Sequence, residues 1–359
     1  MNLKAVRKNL SIISILLGGL TLRLISINQS LWLDEATSAV LVRDFSFPDI
    51  LTKFSPGDFH PPLYYILLKF WSTIFGTSEI RLRSLSVVVG VGGIYLTYLL
   101  ARMLFNKKIA LVSSLLLATS GLHIYFSQEA RMYVLASTFV LLTIFYFVKT
   151  IGDGRVGDLV LFSVFLYLSV MTNYITVFII PVFWIYGYLK RKNKYWFKKL
   201  FMSHIILGVF GVLWLPTFLK QLSIGANVRI LFPIWWATLG KTNFKDVLLV
   251  PVKFMIGRVS WDNKILYGFI VVSLFIFFGL LIYDGYQKHK GNQRYYFVLL
   301  WLGVPYLLAL VFGLWFSVFS YFRLLYLLPA FYILISLGLY LLKIRFLELM
   351  KSLLNRFSD

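Results

Sequence analysis

What most constrains this chain is how its apolar residues are grouped. They fall into stretches at about 9–28, 84–105, 108–123, 132–149, 158–175, 176–190, 200–219, 265–283, 295–313 and 323–342. A bilayer core about 30 Å thick is crossed by about 20 mostly apolar residues of helix. Helix is also one of the two backbone arrangements that satisfy their own hydrogen bonds in lipid. Only 14% of residues are charged and 59% are hydrophobic, with a mean hydropathy of +0.80. That is too little charge to cover a soluble surface. The sequence predicts an all-α polytopic membrane protein with about ten transmembrane helices.

Several function classes drop out. There is no cysteine, which excludes disulfides and thiolate metal sites. The net charge of +22 could invite nucleic acid, but in a membrane protein Lys and Arg collect in cytoplasmic loops and beside anionic lipid. No nucleic-acid partner is expected. The start "MNLKAVRKNLSIISILLGGL" has the look of a signal peptide without a small-residue cleavage site, so it reads as a retained first span.

One apolar segment decides the topology. In "HPPLYYILLKFWSTIFG", His60–Gly76, the apolar part is short and Lys69 sits in its middle, while Pro61 and Pro62 suit a helix start. It reads as an amphipathic helix lying in the interface. Ten spans then put "NKK", "KRKNKYWFKK", "QKHKGNQR" and the basic tail on the side of Lys4, Arg7 and Lys8, as the positive-inside rule asks. An eleventh crossing at 63–75 would flip the parity. Both termini are therefore expected in the cytoplasm. The extracytoplasmic face receives a first loop, 29–83, a long loop, 220–264, and shorter turns. No separate soluble domain is expected within 1–359, and the tail "NRFSD" carries no retention signal, which points to a prokaryotic plasma membrane.

That face gathers the chemistry. "QSLWLDEATS" follows directly on the first span and contains Asp34 and Glu35. With them come His60, Glu79, Arg81 and Arg83, then Gln128, Glu129, Arg131 and Tyr133, then Asn173 and Tyr174, then Arg229, Lys253, Arg258 and Trp261, then Tyr321 and Arg323. Carboxylates and arginines converging on one membrane face suit a reaction in which a carboxylate takes a proton and cations hold a phosphate. Plainer readings stand beside this one. Asp34 and Glu35 could cap the following helix. Arg81 and Arg83 could be interfacial anchors. His60 could be an ordinary loop residue. Glu129 and Arg131, two apart, do not face each other on one helix. Trp235 and Trp236 fit an interfacial aromatic belt.

"LWLDEA", "HPPLYY", "EIRLRSL", "SQEARMY" and "YFRLLYLLP" occur in this order. The chain resembles GT-C-type membrane glycosyltransferases, within them the dolichyl-phosphate-mannose–protein mannosyltransferase-like group and its prokaryotic relatives. The resemblance is carried mainly by residues 10–180. It implies interfacial helices in the first loop and transfer of a sugar, a hexose such as mannose, from a polyprenyl-phosphate donor to a protein, lipid or glycan acceptor. It implies Asp34 as catalytic acid with Glu35 assisting, and an arginine at the start of the next span on the lipid phosphate. The family pattern there is Arg-Leu-Pro-Ser. Here it reads Arg81-Leu82-Arg83-Ser84, so Arg81 matches and Arg83 replaces the proline. The expected roles are Asp34 and Glu35 in catalysis; Arg81, Arg83, Arg258 and Arg323 on the donor phosphate; and His60, Glu129, Arg131, Tyr133 and Tyr174 on substrate. A divalent ion (Mg, Mn or Ca) on Asp34, Glu35 and Glu129 is a further option. A flippase for lipid-linked saccharides and an oligosaccharide ligase remain as alternatives. Transport would need polar residues along a membrane path, and mid-span charge is scarce in this sequence.

Overall fold

The computed structural model describes residues 3–151, 155–231, 233–236, 242–259 and 261–357. The side chains of Arg229 and Trp235 lie outside the described residues. The described residues contain helices and turns and no strand. The principal helices are α1 (Leu3–Leu24), α2 (Leu33–Asp44), α3 (Leu63–Phe75), α4 (Glu79–Leu104), α5 (Lys107–Thr119), α6 (Gly121–Ser127), α7 (Tyr133–Ile151), α8 (Val156–Thr172), α9 (Ile180–Leu189), α10 (Lys194–Ser203), α11 (Ile205–Leu231), α12 (Phe244–Ile256), α13 (Lys264–Lys288), α14 (Gln293–Gly313) and α15 (Leu328–Phe357).

An apolar helix stands at each of the ten expected positions. Among the described residues six helices are long and apolar enough to cross a membrane, and α5 and α6, bent by 61°, pass the same test only as a pair. The apolar parts Leu10–Leu24, Val156–Thr172 and Tyr174–Leu189 are shorter. This is a multi-pass membrane protein. α3 spans 13 residues, about 20 Å of helix at roughly 1.5 Å per residue, and does not reach across the bilayer core. It buries Tyr64, Tyr65, Leu68 and Ser72 while Phe70, Ile74 and Phe75 stay exposed. Lys69 is tied down where it lies, donating from Nζ to the Val42 carbonyl at the end of α2 (2.6 Å).

The core runs through α4, α7 and α15. Residues 324–337, including "LLYLLP", are almost continuously buried, as expected of a helix apolar on every side. α11 and α13 are the opposite: most of their apolar residues face outward. In the bilayer these are lipid-facing surfaces. α13 meets α15 at Gly338, where a Cβ would strike the backbone carbonyl of Leu281 and lie 2.7 Å from its side chain. Small residues let membrane helices approach this closely. Because the obstruction is backbone, Gly338→Ala should cost about 1–3 kcal/mol. A lower midpoint of thermal unfolding in detergent would show it; an unchanged midpoint would mean that α13 is free to shift.

The connections between helices sort to two ends. At one end Arg294 donates to the Leu104 carbonyl (3.1 Å) and Arg345 pairs with Asp284 (2.7 Å). At the other the loops carrying Asp34, His60, Glu129, Tyr174, Arg258 and Arg323 meet.

A further device sets that second end. Arg23, in the last turn of α1, is fully buried. Its Nε donates to Ser127 (3.1 Å), Nη1 to the carbonyls of Gly19 (2.8 Å) and Ala118 (3.0 Å), and Nη2 to the Leu117 carbonyl (3.4 Å) and His123 Nδ1 (2.7 Å). Leu117 and Ala118 lie in the last turn of α5, where carbonyls lack helical partners and the helix dipole is negative. The cation thus fills the break between α5 and α6. Gln128 then donates to the carbonyls of Arg23 (3.1 Å) and Ile25, tying the loop after α6 to the end of α1.

Candidate active site

Asp34 and Glu35 are adjacent on the first turn of α2, so they point roughly 100° apart. That separation gives them different environments. Glu35 is fully buried. Its Oε1 accepts from Arg83 Nε (2.9 Å) and from the Ala130 N–H (2.8 Å). Its Oε2 accepts from Arg83 Nη2 (2.6 Å) and the Trp32 N–H (3.4 Å). The remaining N–H groups of Arg83 go to the carbonyls of Ile27 (2.9 Å), Gln29 and Ser30 (3.1 Å). All five donors of the guanidinium are used. The bidentate pair holds the 27–30 turn, the start of α2 and the 128–132 loop against α4.

Asp34 faces the open side, its side chain 42% exposed. Arg131 comes to it from the 128–132 loop, with Nη2 3.8 Å from Oδ2 and Nη1 donating to the Asp34 carbonyl (3.4 Å). Arg131 is buried and its Nε has no partner among the described residues. Tyr133 opens α7 beside it, its ring edge-on to Phe126 and Phe322 (5.2 Å each). Arg323 reaches the same space from the turn before α15. It is anchored by Ser317 (Nη1 to Oγ, 3.3 Å) and lies over the Phe322 ring at 5.5 Å. Burial lowers its pKa, Arg131 adds to the fall, and Tyr133 and Asp34 oppose it. Two cations under mutual repulsion with one half-exposed carboxylate make a place where an anion is welcome.

Glu129 lies on the other flank, 4% exposed, with neither carboxylate oxygen hydrogen-bonded among the described residues. Burial pushes its carboxyl up to about 7; Glu35 adds to this, while Tyr125, Arg258 and Arg131 pull it down. Arg258, just past α12, stacks over Tyr125 (4.0 Å) and stands 4.0 Å from Glu129. Between about pH 4.5 and 7 the folded protein keeps a proton on Glu129 that the unfolded chain has released. Stability therefore falls as pH rises through that window, by about 3 kcal/mol from this group. Glu129→Gln should flatten that slope in thermal unfolding between pH 4.5 and 7.5. An unchanged slope would mean that Glu129 ionises normally.

The floor of the site is a second network. Asp58 accepts from the Phe59 N–H (2.8 Å), the Tyr65 hydroxyl (2.9 Å) and His60 Nδ1 (3.2 Å). Gln221 on α11 donates to the carbonyls of Ser55 (2.7 Å) and His60 (2.9 Å) and accepts from the Tyr174 hydroxyl (2.6 Å), which in turn accepts from Trp214 (2.7 Å). Tyr174 thus buttresses the first loop through Gln221. The Tyr64 hydroxyl is buried without a partner among the described residues.

Other candidates stand apart. Arg81 is exposed, its guanidinium against Gly76 at the α3–α4 turn, where Gly76 takes φ +94; among the described residues no hydrogen bond or ion pair links it to Asp34 or Glu129. Lys253 donates to the Val259 carbonyl (3.3 Å), and Asn173 caps the turn Tyr174–Ile179. Among the described residues no three His, Cys, Asp or Glu side chains are grouped to hold a metal. Glu35 has both oxygens taken by N–H donors, which leaves only Asp34 and Glu129. This donor set does not make a divalent-cation site. The sequence reading missed Arg23, His123, Asp58, Gln221 and Tyr64. A lone arginine inside an otherwise apolar span was the available signal for the first.

A family model described as dolichyl-phosphate-mannose-protein mannosyltransferase matches residues 59–219. No curated protein matches the chain significantly by sequence. Among solved structures, ArnT from Cupriavidus metallidurans bound to undecaprenyl phosphate superposes with TM-score 0.60 at 15% identity, covering 92% of this chain and 60% of that one. The oligosaccharyltransferase of Archaeoglobus fulgidus in the apo form gives 0.59 at 14% identity, covering 97% and 52%. AglB from Archaeoglobus fulgidus in complex with an inhibitory peptide and a dolichol-phosphate gives 0.58 at 14% identity, covering 98% and 52%. The chain spans between half and two thirds of the length of these structures. Its fold is that of GT-C glycosyltransferases.

Proposed function

We propose, from this GT-C fold, that the chain is an inverting glycosyltransferase that moves a sugar, a hexose such as mannose, from a polyprenyl-phosphate donor to a hydroxyl of a protein, lipid or glycan. The observation that carries the reading is the placement of Asp34: one half-exposed carboxylate beside the buried Arg131, in the space that Arg323 also faces. The prenyl tail of the donor stays in the bilayer, so the reacting sugar is met where a span emerges. Asp34 follows α1 by a short turn, which supports this role for it. The basic loops argue that both termini are cytoplasmic and this end extracytoplasmic, in a plasma membrane.

The acceptor hydroxyl gives its proton to Asp34 and its oxygen bonds the anomeric carbon. The bond from that carbon to the phosphate oxygen breaks on the opposite face, and the electron pair leaves with the lipid monophosphate. Configuration inverts, as when a carboxylate activates the attacking oxygen in an inverting glycosidase. The extra negative charge on the phosphate falls to Arg323 and Arg131, with Arg258 at the rim. In a dry site such charge-assisted contacts are worth several kcal/mol. Arg83 and Glu35 act by orientation, because their hydrogen-bonding groups are committed to each other and to backbone. Arg81 stands outside this set and is assigned no phosphate contact.

The test is transfer from polyprenyl-phosphate mannose, glucose, galactose or aminoarabinose by purified protein in nanodiscs, with crude lipid and protein as acceptor. Release of lipid monophosphate supports the reading. The likeness to an oligosaccharyltransferase is nearly as close as that to ArnT, so a polyprenyl-diphosphate oligosaccharide belongs in the panel. Consumption of that donor alone would favour a ligase, and binding of every donor without turnover would favour a flippase.

A further inference from the structure

The Asp58–His60 couple is a built polar node that the transfer chemistry leaves unused. Asp58, its side chain 13% exposed, receives three donors. Burial pushes its carboxyl up, but His60, the Phe59 N–H and the Tyr65 hydroxyl outweigh this and hold it below its ordinary value. An ionised carboxylate only accepts, so the proton between the two residues sits on His60 Nδ1. In a neutral imidazole this leaves a lone pair on Nε2. Burial depresses the imidazole pKa and the facing Arg131 and Arg323 add to it, against Asp58, so the ring stays neutral at physiological pH. Among the described residues no hydrogen bond engages Nε2. The ring is held by Phe59 at 4.6 Å, and its backbone by Gln221 (2.9 Å).

Arg131 ties this node to the reacting centre: it contacts Asp34, and its charge, with that of Arg323, acts on His60. For a sugar whose phosphate is held by Arg131 and Arg323, these cations offer only donors, whereas His60 Nε2 is a fixed acceptor without charge. We propose that Asp58 fixes His60 as a neutral acceptor for one hydroxyl of the transferred sugar, so that the couple selects the sugar. This rests on the transfer reading above. His60 is a specificity residue here and moves no proton in the reaction.

The experiment uses the full-length protein in nanodiscs and the polyprenyl-phosphate hexose it turns over, with the deoxy and deoxyfluoro analogues of that hexose at each hydroxyl. At one position the deoxy analogue should lose on the order of tenfold in kcat/KM, the effect of a single unmade hydrogen bond. The deoxyfluoro analogue should lose as much, because fluorine cannot donate to Nε2. His60→Ala should erase the difference between the native sugar and those two analogues. His60→Gln, which keeps an acceptor at similar reach, should restore part of it. Asp58→Asn, which frees the ring to change tautomer, should reduce it while transfer persists. Unchanged discrimination in His60→Ala overturns the proposal. So does a fluoro analogue used as well as the native sugar, or a hydroxyl effect on the acceptor in place of the donor. If wild type turns over no lipid-phosphate sugar, the transfer reading has failed and this proposal falls with it.

Discussion

Asp34→Asn should lower sugar transfer at least about a hundredfold and leave binding of the lipid phosphate nearly intact. The amide matches the carboxylate in size but has no basic oxygen to take the proton of the acceptor. The fold should tolerate it. The side chain is 42% exposed and its one ionic partner among the described residues, Arg131, stands at 3.8 Å, a loose pair of modest worth to stability. Phosphate binding should survive because Arg323 and Arg131 keep their anchors, and losing the negative charge of Asp34 makes the site more welcoming to an anion. The predicted signature is therefore a fall in kcat with the dissociation constant of the lipid monophosphate unchanged or lower. Turnover at the wild-type rate would remove Asp34 as base. A fall in kcat accompanied by loss of lipid-phosphate affinity would instead make it a structural member of the site.

The sequence made the kind of protein legible because membrane physics leaves few options. The ten apolar positions, and the short reach of α3 with Lys69 in its middle, follow from length and charge alone. The crossing status of Leu10–Leu24, Val156–Thr172 and Tyr174–Leu189 does not, since short helices take their depth from packing. Pairings were less legible than membership. "DEA" placed two acids side by side, but only the fold divides them, burying Glu35 on Arg83 and turning Asp34 outward. "RLRS" left two arginines in competition. Arg83 lies two residues further along α4 than the exposed Arg81, about 200° around the helix, and that offset lets it reach the 27–30 turn. Glu129 and Arg131, which do not face each other on one helix, meet different partners: Arg258 for one, Asp34 for the other. Asp58 and Gln221 carry no local signal, since each matters through a residue far away in the chain.

The Glu35–Arg83 pair should prove the most expensive contact to break. Arg83→Met leaves an ionised carboxylate at 0% exposure with only the N–H groups of Ala130 and Trp32, and removes the donors to the carbonyls of Ile27, Gln29 and Ser30. Losing one member of a buried ion pair typically costs about 3–5 kcal/mol. A fall of several degrees in the thermal midpoint and loss of transfer are expected. Stability loss alone would explain the lost activity, so the informative variant is the double one. Glu35→Gln in the Arg83→Met background removes the stranded charge and keeps an acceptor oxygen for one of the two N–H groups, that of Ala130. It should recover part of the midpoint, since an unpaired buried charge accounts for much of the single-variant penalty. Transfer should not recover with it. The 27–30 turn would still lack the guanidinium that pins it, and Asp34 sits on the first turn of the helix that this turn introduces. Recovery of transfer in step with stability would reduce the pair to a fold-holding contact. A wild-type midpoint in Arg83→Met would show that the buried pair is not formed.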